Sequence, residues 1–420
     1  MGIKDLNKLL KRHAKNAFFT LPITLLSGKR IAIDADGWMY TNMSTARKKV
    51  VNRSDVTVQE PNPNEIRREW FLQALNFIIR LLSENITMIF VFDGEHPPEK
   101  AETKAERRDK RIAARAKIDA LYEQLNGDIL SRPSNIVEEL RKELRNYNYI
   151  SSEDYELFKM IIKGIGIPCL QATADAEALC TSLCIEGKVA AVFSKDTDTL
   201  AGGCPLLITG FSETCTYDEY GHRVSHVDCV RLDRIHEGLA LSHTMFVDLC
   251  IMCGCDFNTN MPGYAAIKSY GLIQKHESIE NLPRQYNTTC LKYRRCRELF
   301  SYQNSVQLTI RRDPIESGEE LIENNYGVHN QQEAESLDIN KHAITTARDY
   351  LEMVGVSGQI EKIINCYQQV TPATDGHVQE LNLADAPRYV PPPIRIALNI
   401  ISNTPQIIPL RLNILPSTNL

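Results

Sequence analysis

Short apolar runs that end in aspartate recur along the 420-residue chain. RIAIDAD, residues 30–36, reads as a β-rich strand ending at Asp34 and Asp36. TMIFVFDG, residues 87–94, reads as a second strand and ends at Asp93. In AAVFSKDTDTLAGG, residues 190–203, the run Ala190–Phe193 reads as a short buried strand. Asp196 and Asp198 follow it, and Gly202 and Gly203 close the segment as a turn. Between these runs the apolar spacing turns helical. WFLQALNFIIRLLSE (70–84), SSEDYELFKMIIKGIGI (151–167), ADAEALCTSLCIEG (174–187) and HTMFVDLCIMCGCDF (243–257) all read as helices, the second capped at Ser152 and the third stopping at Gly187.

Strands alternating with helices predict an α/β core with a mainly parallel sheet. In such sheets, sites form beyond the carboxyl ends of the strands. Asp34, Asp93, Asp196 and Asp198 all lie at strand ends of that kind. Asp175 and Glu177, at the start of a neighbouring helix, and Asp256 can join them. Taken alone, an Asp-x-Asp pair is ordinary turn or cap chemistry. Four acids from three strands carry a different meaning. Carboxylates within about 4 Å repel by about 4 kcal/mol per pair at an effective dielectric near 20. Either some take up protons, or cations fill the site. An all-oxygen site suits Mg²⁺ or Mn²⁺, and two such ions can clamp a phosphodiester.

Two stretches fall outside this alternation, and only the first of them, residues 44–67, is polar. Residues 44–67 carry Pro61 and Pro63 and read as a long loop, and the region after about residue 370 reads as a Pro-rich, poorly ordered tail.

Charge sharpens the picture locally. The whole chain carries a formal net charge of −5, so a nucleic-acid site has to be a local basic patch. From Lys100 to Lys117 eight basic residues face three acidic ones, a local net of +5 on a predicted helix. Alone, that is a solvated helix face with i,i+4 pairs; beside an acidic metal site, it is a place for phosphates. No apolar run approaches the 18 or so residues of a membrane span, so no membrane partner is expected. All 12 cysteines lie from Cys169 onward and read as reduced thiols of an intracellular protein.

At this point the chain resembles the flap endonuclease/XPG family of structure-specific nucleases. The segments that carry the resemblance are MGIKDLNKLL, IAIDADGWMY, FVFDGEHPPEK with ERRDKR, GIPCLQATADAEALC, SKDTDTL and FVDLCIMCGCDF with GLIQKHESIENL, in family order over residues 1–285. The resemblance implies a PIN-like 5′-nuclease core: a twisted, mainly parallel sheet flanked by helices, a helical arch over the site, and a helix–two-turn–helix element for duplex DNA. It divides the chain into a nuclease region (1–117), an arch or linker (118–150), an internal nuclease region (151–253), a DNA-binding region (254–310), a helical extension (311–370) and the tail (371–420).

The resemblance assigns seven metal-site acids: Asp34, Asp93, Asp175, Glu177, Asp196, Asp198 and Asp256. Asp175 is one methylene shorter than the family's common Glu. Lys100 and Arg107, seven and fourteen residues after Asp93, match the basic residues that engage the scissile phosphate. Tyr40 matches a base-stacking position; taken by itself it also reads as a core tyrosine. Gly2, Arg108, Lys110, Arg111, Gly263 and Lys268 are the further DNA contacts. The duplex-binding turn departs from the pattern, with Ala265 for a second glycine and Ile267 where a lysine is common.

The implied activity is a 5′-flap endonuclease and 5′-exonuclease using two Mg²⁺, with Mn²⁺ able to substitute. It would act as a monomer on DNA with single-strand/duplex junctions, in the nucleus of its own or an infected cell, in replication or repair. No C-terminal clamp motif is present, so dependence on a sliding clamp is not expected. The same chemistry on junction or bubble DNA, or an inactive nucleic-acid-binding scaffold, are the alternatives.

Overall fold

The computed structural model describes residues 2–127, 134–217, 220–301, 309–310, 322–323, 351, 355–356 and 358–369. The predicted Pro-rich tail after residue 370 lies outside them, as does most of the region from 302 to 357.

The elements follow in chain order: α1 (Leu6–His13), β1 (Phe18–Pro22), β2 (Arg30–Asp34), α2 (Ala35–Arg53), α3 (Pro63–Ser83), β3 (Thr87–Phe92), α4 (Ala101–Gly127), α5 (Ser134–Asn146), α6 (Ser152–Gly164), β4 (Cys169–Gln171), α7 (Ala176–Ile185), β5 (Ala191–Phe193), α8 (Asp198–Ala201), β6 (Leu206–Tyr217), β7 (Arg223–Arg231), α9 (Leu232–Leu239), α10 (His243–Cys253), α11 (Ala266–His276) and α12 (Tyr293–Phe300). Seven strands form one sheet in the order β1-β7-β6-β5-β2-β3-β4. The pairs β6-β5, β5-β2, β2-β3 and β3-β4 are parallel, while β7 runs antiparallel to both β6 and β1. The mainly parallel sheet is therefore as expected, and its antiparallel edge is an addition.

Each face of the sheet carries its own apolar layer. One packs Leu6, Leu10, Leu179, Phe246 and Ile251 from α1, α7 and α10. The other packs Trp38, Trp70, Phe71 and Phe158 from α2, α3 and α6, with the Phe158 ring stacked 5.2 Å from Trp70. A third, smaller core joins α2 to the α4–α5 helices through Val51, Ile118, Leu121, Leu140 and Leu144. No helix among the described residues is long and apolar enough to cross a membrane.

Three local readings change. The expected loop over 44–67 shrinks to residues 54–62, because α2 continues to Arg53 and buries Ala46, Val50 and Val51. Pro63 opens α3 instead of breaking the chain; Asn62 caps it, its side chain accepting from the Asn64 amide at 2.9 Å. The cap of α6 is Ser151, one residue before the expected Ser152, in a reciprocal box with Asp154. The basic helix is longer than its Lys100–Lys117 charge pattern, since α4 runs from Ala101 to Gly127.

Candidate metal and nucleic-acid site

The site forms where β2, β3 and β5 end side by side. Asp34 closes β2 and caps α2, with its Oδ1 accepting from the Gly37 amide at 3.1 Å. Its Oδ2 accepts from Ser194 Oγ at 2.8 Å, and the same hydroxyl accepts from the Asp196 amide at 2.9 Å. One serine after β5 thus ties two strand-end acids together. Asp93 follows β3, and its Oδ1 accepts from the Ala176 amide at 2.7 Å. That bond reaches the N-terminus of α7, where a carboxylate also meets the helix dipole. It docks the helix carrying Asp175, its N-cap, and Glu177. The backbone approach is tight: a Cβ on Gly94 would collide with the Ala172 carbonyl. Asp196 Oδ1 accepts from the Asp198 amide at 3.1 Å. Asp256 follows the glycine turn after α10.

All seven acids share one electrostatic neighbourhood. Asp34 feels Asp93 and Asp196; Glu177 feels Asp34, Asp196 and Asp198; Asp198 feels Asp175 and Asp256. Burial is the main cause that pushes the protonation of Asp34, Asp93, Glu177, Asp196 and Asp198 upward. The Asp34 carboxyl rises to about 7. Asp93 and Asp196 are raised, and Glu177 and Asp198 well above the usual carboxylate range.

Basic side chains reach into the cluster. Lys100 Nζ lies 2.9 Å from Asp175 Oδ2 and 3.9 Å from Glu177 Oε2, and Lys100 is only 8% exposed. Burial alone would push its ammonium down; the charges of Glu177 and Asp175 overcome that and hold it above the ordinary lysine range. Arg107, in the second turn of α4, grips both oxygens of Asp256 at 2.7 and 3.0 Å.

Two residues at this site escaped the sequence reading. Asp36 sits in the first turn of α2, not at the strand end, and its Oδ2 accepts from the Asp93 amide at 2.9 Å. Burial raises it to about 7 as well. His96 contacts Asp175 through Nδ1 at 3.0 Å. The second acid of DAD and the histidine of DGEHPPEK were the available signals.

Among the described residues, no group of three acidic, His or Cys side chains is already arranged to hold an ion. Lys100, Arg107 and His96 sit on the carboxylates. The donor set still fits a hard divalent cation: it is built of carboxylate oxygens. Asp198 Oδ1, moreover, is buried with no hydrogen-bond donor on it. A buried anionic oxygen without a partner is costly, and a cation would satisfy it.

Raised acids make a stability prediction. Asp34 and Asp36 titrate near 7 in the folded chain against about 4 unfolded. The stability they contribute is full below about pH 4 and is lost as pH rises through about 7. In EDTA, the melting temperature should be about 5 °C higher at pH 5.5 than at pH 8. Calorimetry checks it, with Asp34→Asn/Asp36→Asn flattening the slope.

The remaining sequence-picked residues spread outward. A Cβ on Gly2 would collide with Asp196 Oδ1 and Thr197 Oγ1, so only glycine fits there, and its φ of +85° suits it too. Tyr40 is 43% exposed on α2, not in the core. Arg108, Lys110 and Arg111 are exposed on α4, with the Arg111 guanidinium 5.8 Å from the Tyr149 ring. Between α10 and α11, turns at Asp256–Phe257 and Pro262–Gly263 form the expected two-turn connection. Lys268 Nζ donates to the Gly263 carbonyl at 3.0 Å, and Ile267 beside it is 56% exposed.

Comparison with known proteins places the chain in a family. Residues 1–114 match the XPG N-terminal domain and residues 166–256 match the XPG I-region. Flap endonuclease 1 of Cryptosporidium muris is 32% identical over 323 residues, covering 75% of this chain and 65% of that protein. The probable RAD2-like endonuclease 369L of Invertebrate iridescent virus 6 is 31% identical over 312 residues, covering 67% of this chain and 73% of its own length. Flap endonuclease-1 from Methanococcus jannaschii shares the fold at 19% identity with a TM-score of 0.51, covering 84% of this chain and 97% of that one. The chain belongs to the XPG family, whose members are metal-dependent nucleases.

Proposed function

We propose that the protein is a metal-dependent, structure-specific 5′ nuclease that cuts DNA at the junction of a 5′ single-stranded flap and a duplex. The observation that carries this is the convergence of seven acids from separate elements under Lys100 and Arg107, at the foot of a basic helix. The similar proteins named flap endonuclease support the substrate class.

In this reading Asp34, Asp93, Asp175, Glu177, Asp196, Asp198 and Asp256 hold two Mg²⁺, and Mn²⁺ can replace them. When bound, the ions supply Lewis acidity for phosphodiester hydrolysis and offset the charge of the reacting phosphate. Lys100 and Arg107 trade their carboxylate partners for the scissile phosphate and orient it, supplying positive charge where negative charge builds up. Tyr40 offers an exposed ring for a base beside the cleaved bond. Arg108, Lys110 and Arg111 guide the single strand along α4. Gly2 packs the start of the chain against Asp196 and Thr197, close to where the DNA would lie, and the Gly263 backbone with Lys268 receives duplex phosphates. The protein would work as a monomer where nuclear DNA is replicated or repaired.

Gel-resolved cleavage of a 5′-labelled flap duplex, with Mg²⁺ and with EDTA, tests the reading. Cutting near the junction only with the ion is the expected result. Four-way junction, bubble and RNA substrates run in parallel should be cut more slowly. Tight binding without cutting of any substrate would sink the proposal in favour of a scaffold.

The altered duplex turn gives a gain-of-function prediction. Ile267 presents an exposed apolar side chain at the start of α11, beside Lys268. Ile267→Lys should tighten duplex binding about threefold or more near 0.1 M salt and steepen the salt dependence by about one ion. Fluorescence anisotropy across a salt series measures both.

A further inference from the structure

His96 stands between two of the acids. Its Nδ1 lies 3.0 Å from Asp175 Oδ1, and its Nε2 lies 3.9 Å from Asp93 Oδ2. The ring is largely enclosed, with a quarter of its side-chain surface exposed, at the start of the Pro97–Pro98 segment that leads into α4. Prolines restrict the backbone on its C-terminal side. The imidazole is therefore fixed by its chain position and by Asp175 together.

The two contacts differ in kind. At 3.0 Å, Nδ1–H can donate to Asp175. That choice leaves Nε2 with its lone pair, directed to the Asp93 side. At 3.9 Å, Nε2 and Asp93 Oδ2 are too far apart for a hydrogen bond. With a side-chain adjustment the gap would let Nε2 and Asp93 Oδ2 hold one divalent ion together. A histidine whose second nitrogen is held by a carboxylate is the usual arrangement of a metal-binding imidazole. The shorter reach of Asp175 adds to this, because the carboxylate ends on Nδ1 and steadies the ring.

We propose that His96 Nε2 is a nitrogen ligand of the metal centre beside Asp93, oriented by Asp175, and that it biases the site toward Mn²⁺ over Mg²⁺. The proposal rests on the metal-dependent reading above. Nitrogen adds affinity for transition ions, whereas Mg²⁺ prefers oxygen. His96 then makes an otherwise all-oxygen centre a mixed one.

Pulsed EPR of Mn²⁺ bound to the full-length wild-type protein decides the matter. A ¹⁴N modulation from a ligating imidazole is expected. His96→Ala and His96→Gln should both lose it, with the Mn²⁺ Kd rising about tenfold and the Mg²⁺ Kd, read by competition, about twofold or less. The glutamine can still donate to Asp175, so wild-type Mn²⁺ affinity in His96→Gln would reduce His96 to a positioning role and overturn the proposal. Bound Mn²⁺ without ¹⁴N modulation would overturn it and leave the metal-dependent reading standing. No Mn²⁺ binding to the wild type would overturn both. The wild-type spectrum does not depend on any variant folding.

Discussion

Asp196→Asn is expected to lower flap cleavage about a thousandfold or more, while the protein still folds and still binds flap DNA. The backbone around Asp196 is held independently of its charge. Its amide donates to Ser194 Oγ at 2.9 Å, and its carbonyl accepts from Thr199 Oγ1 at 2.8 Å. Asparagine keeps an oxygen that can accept from the Asp198 amide, now 3.1 Å away. What is lost is one negative charge among acids that already repel each other. A metal clamp contributes several kcal/mol to a phosphodiester transition state, and about 4 kcal/mol corresponds to about a thousandfold in rate. The stability effect has the opposite sign. Burial raises the Asp196 carboxyl above its usual range, so at pH 8 its ionised form is a cost to the ion-free fold. The variant should therefore melt higher than wild type in EDTA at pH 8. Cleavage and calorimetry on one preparation check both signs. Wild-type cleavage by the variant would remove Asp196 from the metal centre.

The acids at the strand ends were legible because two signals coincide there. Buried strands are short apolar runs, and a carboxylate that ends one has no packing reason to be there. Asp34, Asp93 and Asp196 all satisfy that test, and all three lie at the carboxyl edge of adjacent or next-adjacent strands. The antiparallel edge was harder to read. β6 is buried only over its first residues and half-exposed beyond them, so its twelve residues carry no continuous apolar run. The C-terminal half of α2 hid for another reason: Arg47 is buried, its guanidinium 5.6 Å from the Tyr147 ring, so a core-facing position reads as surface charge. Asp36 and His96 act through contacts 57 and 79 residues away in sequence. No local pattern announces such contacts, because the sheet order alone decides that β2 and α7 both lie beside β3.

Lys100→Met should cost both catalysis and stability, and the pH dependence tells the two apart. The ammonium is nearly enclosed and is the positive charge nearest both Asp175 and Glu177. Methionine fills much of the same space, and its thioether still suits the Phe257 ring, whose centre lies 5.3 Å from Nζ. Packing is largely kept and charge is removed. Breaking a buried pair leaves an uncompensated charge at about 3–5 kcal/mol. At pH 8 in EDTA the variant should melt about 10 °C lower than wild type. Glu177 is already pushed well above the usual carboxylate range by burial, and Lys100 is the main influence holding it down. Without that lysine Glu177 takes up its proton at still higher pH, so the deficit should shrink as pH falls to 5.5, and Mg²⁺ at pH 8 should shrink it as well. Cleavage should fall about a hundred- to a thousandfold even with saturating Mg²⁺, the range for losing one preorganised donor to a developing charge. Arg107→Ala separates the two effects. Its pair with Asp256 is half-exposed on the arginine side, where such pairs contribute about 1 kcal/mol or less. That variant should lose rate and keep its melting temperature. If Lys100→Met instead melted like wild type at pH 8, Lys100 would not be the counter-charge of the acid cluster. If it cleaved like wild type, Lys100 would have no part in holding the phosphate.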